Sequence, residues 1–324
     1  MEEANNDAPI VPVPPPWKLK GTIYVLTFWA SKVSAAKGKG SGKHQRQHGL
    51  PTIAYSPLEA SSSFADPAAS GEYLGGLSQI QIIRYTEGPV GPYDELIICP
   101  GYWAFEKKDD KGKMKKMKNL RVPRIYVSQK YTCWNGRANW NIPKHLARFE
   151  WDESAEGKTS VRVYPHDTAR ASGNNYGTFP GSSPGEKPFF QATFQPMRWA
   201  PSFPLSFSWM KYVGIDASLV QPPLPDGRQS NNSQIGEELI GTSRWCKILP
   251  ELSTRKAVLG WMDMSQSQHD QDSGDDDDDA AGSSRNTSDA EYANFWPGMR
   301  RWNMAFKMEN ADIVFGEGQH WDPS

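Results

Sequence analysis

Cysteine is scarce in this 324-residue chain, with only Cys99, Cys133 and Cys246. Three scattered thiols exclude a disulfide framework and a cysteine zinc site, and they fit a reducing compartment. Long apolar runs are missing too. The longest near the start, Ile23–Ala30, is far short of the roughly 20 residues that a membrane helix needs. The opening MEEANNDAPIVPVPPP is acidic and Pro-rich, with no basic segment leading into an apolar one, so no secretory signal is read. A soluble, cytoplasmic protein without a membrane partner is expected. The glycosylation patterns at Asn231 and Asn286 therefore carry no weight. No repeat period appears, which argues against propellers and solenoids. GxxxxGK[ST] is absent, and no GxGxxG follows a strand, so nucleotide binding lacks support.

A net charge is also lacking: 36 Lys+Arg stand against 37 Asp+Glu. That balance averages two unlike parts. Between Asp263 and Asp289 lie nine Asp and one Arg, and without them 28 acidic and 35 basic residues remain, a net of +7. The 26 prolines and 28 glycines are spread among short aromatic and β-branched runs, which reads as strands and turns. Strands are expected at Thr22–Ala30, Ser78–Tyr85, Glu95–Tyr102, Val122–Ser128, Thr159–Tyr164, Phe189–Phe194, Phe203–Val213, Thr242–Ile248, Lys256–Met262, Arg301–Lys307 and Ala311–Phe315. The best helix candidate is a short turn opened by Pro143.

Three segments read as insertions: 31–49, rich in Lys, Gly and Ser; 106–119, Lys-rich; and 265–288, acidic and read as a disordered loop. Strands resume on both sides of each. The expectation is one domain over 17–324 behind a flexible Pro-rich tail, 1–16.

Several patterns are weighed and set aside. The run Asp275–Asp279 lacks the spaced ligands of a calcium or magnesium site. His44 and His48 sit four apart, but Gln45 stands where a zinc protease motif needs glutamate. Lys107–Lys118 mixes lysine with Asp109, Asp110 and Gly112 and has neither Arg nor stacking aromatics, so it reads as a solubilising hairpin tip, with no nucleic-acid partner. Gly181-Ser182-Ser183-Pro184-Gly185 matches GxSxG without the strand and helix of a nucleophile elbow.

Tyr85–Trp151 is the informative stretch. Gly88-Pro89-Val90-Gly91-Pro92 forms a tight turn that delivers Tyr93 and Glu95 to the start of an apolar strand. Downstream, Lys144 follows Trp140, Ile142 and Pro143 and precedes His145, Leu146 and Ala147. An ammonium among apolar groups favours its neutral, nucleophilic form. The residues alone leave two readings open: Lys144 snorkels to water while Glu95 pairs with an arginine, which spacing alone favours, or the two carry chemistry.

The segments GPYDELIICPGY and NGRANWNIPKHLARFEW resemble the acetoacetate decarboxylase-like family over Gln79–Trp151, with Trp296–Glu317 weakly similar to a closing segment of fungal members. The resemblance implies a mainly β, α+β, mostly antiparallel cone-like barrel with an apolar cavity and a Schiff-base lysine. It assigns the lysine to Lys144 and the active-site glutamate to Glu95. Arg137, Trp140 and Pro143 match residues that shape the lysine turn, and Arg137, Trp140 and Tyr93 are taken as substrate contacts. His145 occupies the place of a second lysine and is a candidate proton donor. The arginine of the family's N-terminal segment has no clear match, and Arg84 and Arg124 are the candidate substitutes. The implied activity is cofactor-independent and metal-free, decarboxylase-like chemistry on a keto acid or related carbonyl compound. A cyclase, isomerase or aldolase-dehydratase of specialised metabolism and a non-catalytic small-molecule binding protein are the alternatives. Homo-oligomer formation is left open.

Overall fold

The computed structural model describes residues 8–30, 50, 54–109, 111–168, 180–184, 188–208, 216–228, 236–264 and 302–323. Segments 31–49 and 265–288, with His44, His48 and the Asp run, lie outside the described residues. Nine strands close into a barrel in the order β1 (Trp17–Ala30), β15 (Trp302–Phe315), β14 (Glu251–Asp263), β10 (Phe190–Pro196), β8 (Thr159–Thr168), β7 (Lys144–Glu153), β6 (Arg124–Val127), β3 (Tyr93–Cys99), β2 (Glu72–Glu87) and back to β1. Every pairing in this ring is antiparallel except β6 with β7. Closure removes the open edges that a flat sheet of this size would present. A second row of strands continues from β2 through β4 (Tyr102–Lys108), β5 (Met114–Leu120), β12 (Leu219–Gln221), β13 (Trp245–Ile248) and β16 (Gln319–Trp321). Two short strands, β9 (Pro180–Pro184) on β8 and β11 (Phe203–Ser206) on β14, complete the sheet.

Two core layers follow from the alternation of side chains along each strand. One cluster draws from all nine barrel strands, including Tyr24, Ile82, Leu96, Tyr126, Ala147, Val163, Phe194, Met262 and Ala305, and so fills the barrel. The other takes residues of opposite parity, among them Ile83, Tyr85, Tyr93, Ile125 and Val127, and packs them under Cys133, Trp140 and Ile142. The expected Lys-rich excursion is the β4–β5 hairpin, where Lys107 faces Lys115 and Glu106 faces Lys116.

The helix falls elsewhere than the sequence suggests. Besides the short α1 (Pro57–Ala60) and α2 (Pro67–Ser70), an 11-residue helix α3 spans Lys130–Trp140, and Pro143 precedes a strand instead of opening a turn of helix. Thr132, Asn135, Gly136 and Asn139 weaken the local preference for helix, and tertiary contacts override it. Part of the segment expected as a flexible tail, residues 8–13, is hydrogen-bonded to α3. The Asn135 amide donates to Val11 O, its Oδ1 accepts from the Val13 amide at 2.7 Å, Asn139 donates to Val13 O, and the Tyr131 hydroxyl donates to Ala8 O. Arg301–Lys307 and Ala311–Phe315 are read as two strands; over the described residues 302–315 they form one, β15, in which Asn310 takes a left-handed φ of 47°. Of Phe203–Val213, only Phe203–Ser206 is a described strand. Among the described residues no helix is long and apolar enough to cross a membrane.

Candidate active site

The β6–α3–β7 crossover positions the lysine. Parallel neighbours need a connection that leaves the sheet and returns, and α3 supplies it across the outer face. The helix ends at Asn141, which is left-handed at φ 54°; the Asn141 amide donates to Arg137 O and the Ile142 amide to Gly136 O, the paired bonds of a Schellman cap. The Lys144 amide then donates to Ile142 O at 2.7 Å, a three-residue turn around Pro143 that swings the chain into β7. The first residue of β7 thus points its side chain back beneath the helix. Gly136 makes room for it: a Cβ there would stand 2.7 Å from Lys144 Cδ and Cε.

Glu95 arrives from two strands away. In the β2–β3 hairpin, Tyr85 faces Tyr93, and their rings stack at 4.3 Å between centroids. Glu95 registers with Val127 on β6, and Ile125 on β6 registers with Lys144. The two side chains therefore reach over β6, a gap of roughly 10 Å between strand axes, and meet with Nζ 2.7 Å from Oε2. Lys144 is 4% exposed and Glu95 1%. The Lys144 ammonium also donates to Thr132 Oγ1 at 2.9 Å and lies 5.2 Å from the centre of the Tyr93 ring. The Tyr85 hydroxyl donates to Glu95 Oε1 at 3.0 Å.

The electrostatics correct one expectation. Burial does work against the Lys144 charge, but the Glu95 carboxylate and Tyr93 outweigh it and hold the ammonium above the ordinary lysine value. The contact of Nζ with Oε2 is that of a buried ion pair. Burial pushes the Tyr93 phenol up to about 12, and burial together with Glu95 raises Tyr85 well above the ordinary phenol value. The Cys133 thiol, which donates to Lys144 O at 3.1 Å, is likewise raised by burial. The snorkelling alternative, with an arginine on Glu95, does not describe this geometry.

His145 turns the other way. Successive strand residues face opposite sides, so His145 shares the barrel-filling face of Ala147 while Lys144 faces α3. Its Nε2 is 2.6 Å from Glu59 Oε2, and its ring lies 6.4 Å from that of Tyr126. Glu59 and Arg137 are both fully buried, and Arg137 Nη1 donates to Glu59 Oε1 at 2.9 Å. Burial disfavours the Glu59 charge, yet His145 and Arg137 overcome that and hold its carboxyl below the usual range. His145, expected as a neighbouring cation or proton donor for Lys144, is held by Glu59, while Lys144 is held by Glu95.

The arginines and Trp140 are placed as follows. Arg137 also donates to Ile240 O, Pro225 O and Lys144 O, which commits its guanidinium to the scaffold instead of to a substrate. The Trp140 indole donates to Gly316 O and meets Trp17 edge-on at 5.2 Å, again a packing role. Arg84 pairs with Asp94 at 3.9 Å and Glu153 at 3.4 Å, and Arg124 donates to the Tyr126 hydroxyl at 2.9 Å. Both stand at strand positions of the barrel-filling parity, so neither is brought to Lys144. Of the residues chosen from sequence, Lys144, Glu95 and Tyr93 come together. Tyr85, Thr132, Gly136 and Glu59 were missed. The spacing of Thr132, Cys133 and Gly136 on one helix face was a usable signal for three of the contacts, once α3 is known to be a helix. Among the described residues no three of His, Cys, Asp and Glu converge as metal ligands.

No protein-family model matches the chain, and no curated protein matches it by sequence. Solved structures do. An acetoacetate decarboxylase superposes with a TM-score of 0.50 at 10% identity, over 99% of this chain and 95% of its own. The fold is that of acetoacetate decarboxylase. The acetoacetate decarboxylase of Legionella pneumophila matches with a TM-score of 0.48 at 11% identity, over 98% of this chain and 93% of its own. The enduracididine biosynthesis enzyme MppR, solved with the condensation product of pyruvate and imidazole 4-carboxaldehyde, matches with a TM-score of 0.47 at 11% identity, over 96% and 91%. Within the acetoacetate decarboxylase fold, Lys144 begins the strand that follows the crossover helix, at the only parallel pairing of the barrel's described strands.

Proposed function

We propose that this chain is a Schiff-base lysine enzyme of the decarboxylase-like kind, with Lys144 as nucleophile and Glu95 as its proton partner, acting on a keto acid or a related carbonyl compound. One observation carries the reading: a lysine with 4% exposure held 2.7 Å from a carboxylate with 1% exposure, under a helix whose Gly136 leaves space for the lysine stem. The fold adds support, since a solved structure that shares it is named as an acetoacetate decarboxylase.

The chemistry needs an amine, and the ion pair contains an ammonium. The 2.7 Å contact offers the exchange: Nζ passes a proton to Glu95 as a bound carbonyl compound drives out water. The neutral amine adds to the carbonyl carbon, Glu95 returns the proton to the departing oxygen, and water leaves. The resulting iminium faces the Glu95 carboxylate and draws electrons from an adjacent C–C or C–H bond. Protonation of the enamine carbon and hydrolysis release the product and restore Lys144. Thr132 and Tyr93 hold Nζ in one place, and Tyr85 fixes the carboxylate.

Borohydride reduction in the presence of a panel of keto acids, ketones and aldehydes, followed by peptide mapping, tests the reading. A reduced adduct at Lys144, absent from Lys144→Ala, is the expected result. No adduct with any member, together with unchanged turnover in Lys144→Ala, would leave a non-covalent catalyst or a binding protein on the same barrel.

A further inference from the structure

We propose that the compound taken by Lys144 is an uncharged aldehyde or ketone and not a carboxylate-bearing keto acid; this rests on the Schiff-base reading above and narrows it. The argument is one of charge. The amine meets Glu95 and the Tyr93 ring from β3 and Thr132 from α3; behind them Tyr85 of β2 bonds Glu95, Cys133 of α3 bonds the Lys144 carbonyl, and Gly136 of α3 lines the lysine stem. Only Lys144 and Glu95 are charged, and they cancel.

The nearby cations are already committed. The Arg137 guanidinium reaches the Lys144 carbonyl, but it also serves Glu59, Ile240 O and Pro225 O. Lys130, on the first turn of α3, donates to Glu237 at 2.7 Å. Arg84 is paired with Asp94 and Glu153, His145 with Glu59, and Arg124 has the Tyr126 hydroxyl, all three on the barrel-filling parity of their strands. Among the described residues, then, none of these brings a spare positive charge to face a substrate carboxylate beside Lys144. Such a carboxylate would set two negative groups against one ammonium in a site where the resident pair is almost fully withdrawn from water. An unmatched buried charge is among the costliest arrangements a protein can hold.

A neutral carbonyl compound keeps the balance at every step. The C–N bond forms as the carbonyl electron pair moves to oxygen; that oxygen leaves as water with two protons, one from the original ammonium passed through Glu95 and one from the same nitrogen. The iminium that remains carries one positive charge, matched by the Glu95 carboxylate. With no carboxyl group to expel, the adjacent carbon passes a proton to the Glu95 carboxylate, which leaves a neutral enamine beside a neutral carboxyl group. That carbon then takes up a proton again or attacks a second carbonyl compound. The site is therefore suited to proton exchange and aldol or dehydration chemistry.

The experiment uses the full chain and a matched pair of probes, methyl acetoacetate and acetoacetate, each reduced with borohydride and mapped at Lys144. The ester is expected to label Lys144 at a concentration about tenfold or more below that required of the acid, the ratio set by about 1.4 kcal/mol of discrimination. Equal labelling, or preference for the acid, overturns the neutral-substrate proposal while leaving the Schiff-base reading intact. No adduct from either probe, nor from acetone, overturns both. Glu95→Gln supplies the second arm: removing the resident negative charge should move the preference toward acetoacetate. An unmoved preference in a folded Glu95→Gln protein removes the charge argument.

Discussion

Adjacent residues of one strand serve two different charged clusters, and the contrast between them separates scaffold from chemistry. His145 joins Glu59, which Arg137 of α3 holds from its other oxygen, while Lys144 joins Glu95. In the first cluster the guanidinium is spent on three backbone carbonyls and a carboxylate. In the second, the ammonium meets the Glu95 carboxylate and donates to Thr132 Oγ1. The first cluster is made of scaffold contacts, and the second is the pair to which the proposed chemistry is assigned.

The largest effect that bears on this contrast is expected from Arg137→Met. It leaves the Glu59 carboxylate buried with only His145, and the loss of one member of a buried pair costs about 3–5 kcal/mol; chemical denaturation showing a loss under about 1 kcal/mol would contradict the scaffold assignment. Gly136→Ala comes next. Its added methyl lands 2.7 Å from two carbons of the Lys144 stem, so Lys144 labelling should fall about tenfold while the helix gains up to about 1 kcal/mol of local preference. Unchanged labelling would show that Lys144 has another way to stand.

The two clusters should also part in their response to pH. The folded-state pKa of Glu59 is depressed, so its contribution is present above the ordinary glutamate value of 4.5 and lost as pH falls through the folded value. That of Lys144 is raised, so its contribution is present below 10.5 and lost as pH rises through the folded value. Melting temperatures across pH should therefore show a flatter acid limb in Glu59→Gln and a flatter alkaline limb in Lys144→Met. The reverse assignment would undo the comparison. The smallest effect is expected from Thr132→Val, which removes one acceptor from Nζ at a cost of about 1 kcal/mol or less; labelling should drop a few-fold, with the site otherwise intact.

Much of the barrel could be read from the chain because its strands announce themselves. Thr22–Ala30 and Ser78–Tyr85 are β-branched and aromatic runs, and Gly88–Pro92 is a turn by composition, with Gly91 at φ +85°. Lys144 stood out because its neighbours are apolar. What stayed hidden depends on distance along the chain. Glu59 meets His145 across 86 positions, and nothing in Pro57–Ala60 signals a buried carboxylate. Helix α3 was hidden because its Gly and Asn residues are there for contacts, Gly136 for the lysine stem and Asn135 for residues 11–13, and such residues lower the local helical signal. The facing direction of Arg84, Arg124 and His145 follows from strand register, which only the closed barrel fixes.

The register of β1 carries one more consequence, for how the chain is made. Trp17 pairs with Phe315 and Leu26 with Ala305, while the other side of β1 pairs with β2. As the chain leaves the ribosome, β1 and β2 can meet early, but the ring stays open until residues past 302 emerge. Through most of synthesis the free side of β1, joined by that of β14 once residues 251–263 have emerged, offers unpaired backbone to any neighbouring nascent chain. A product that stops short of Trp302 would keep both edges, which makes the last strand of the barrel the step that ends its exposure to aggregation.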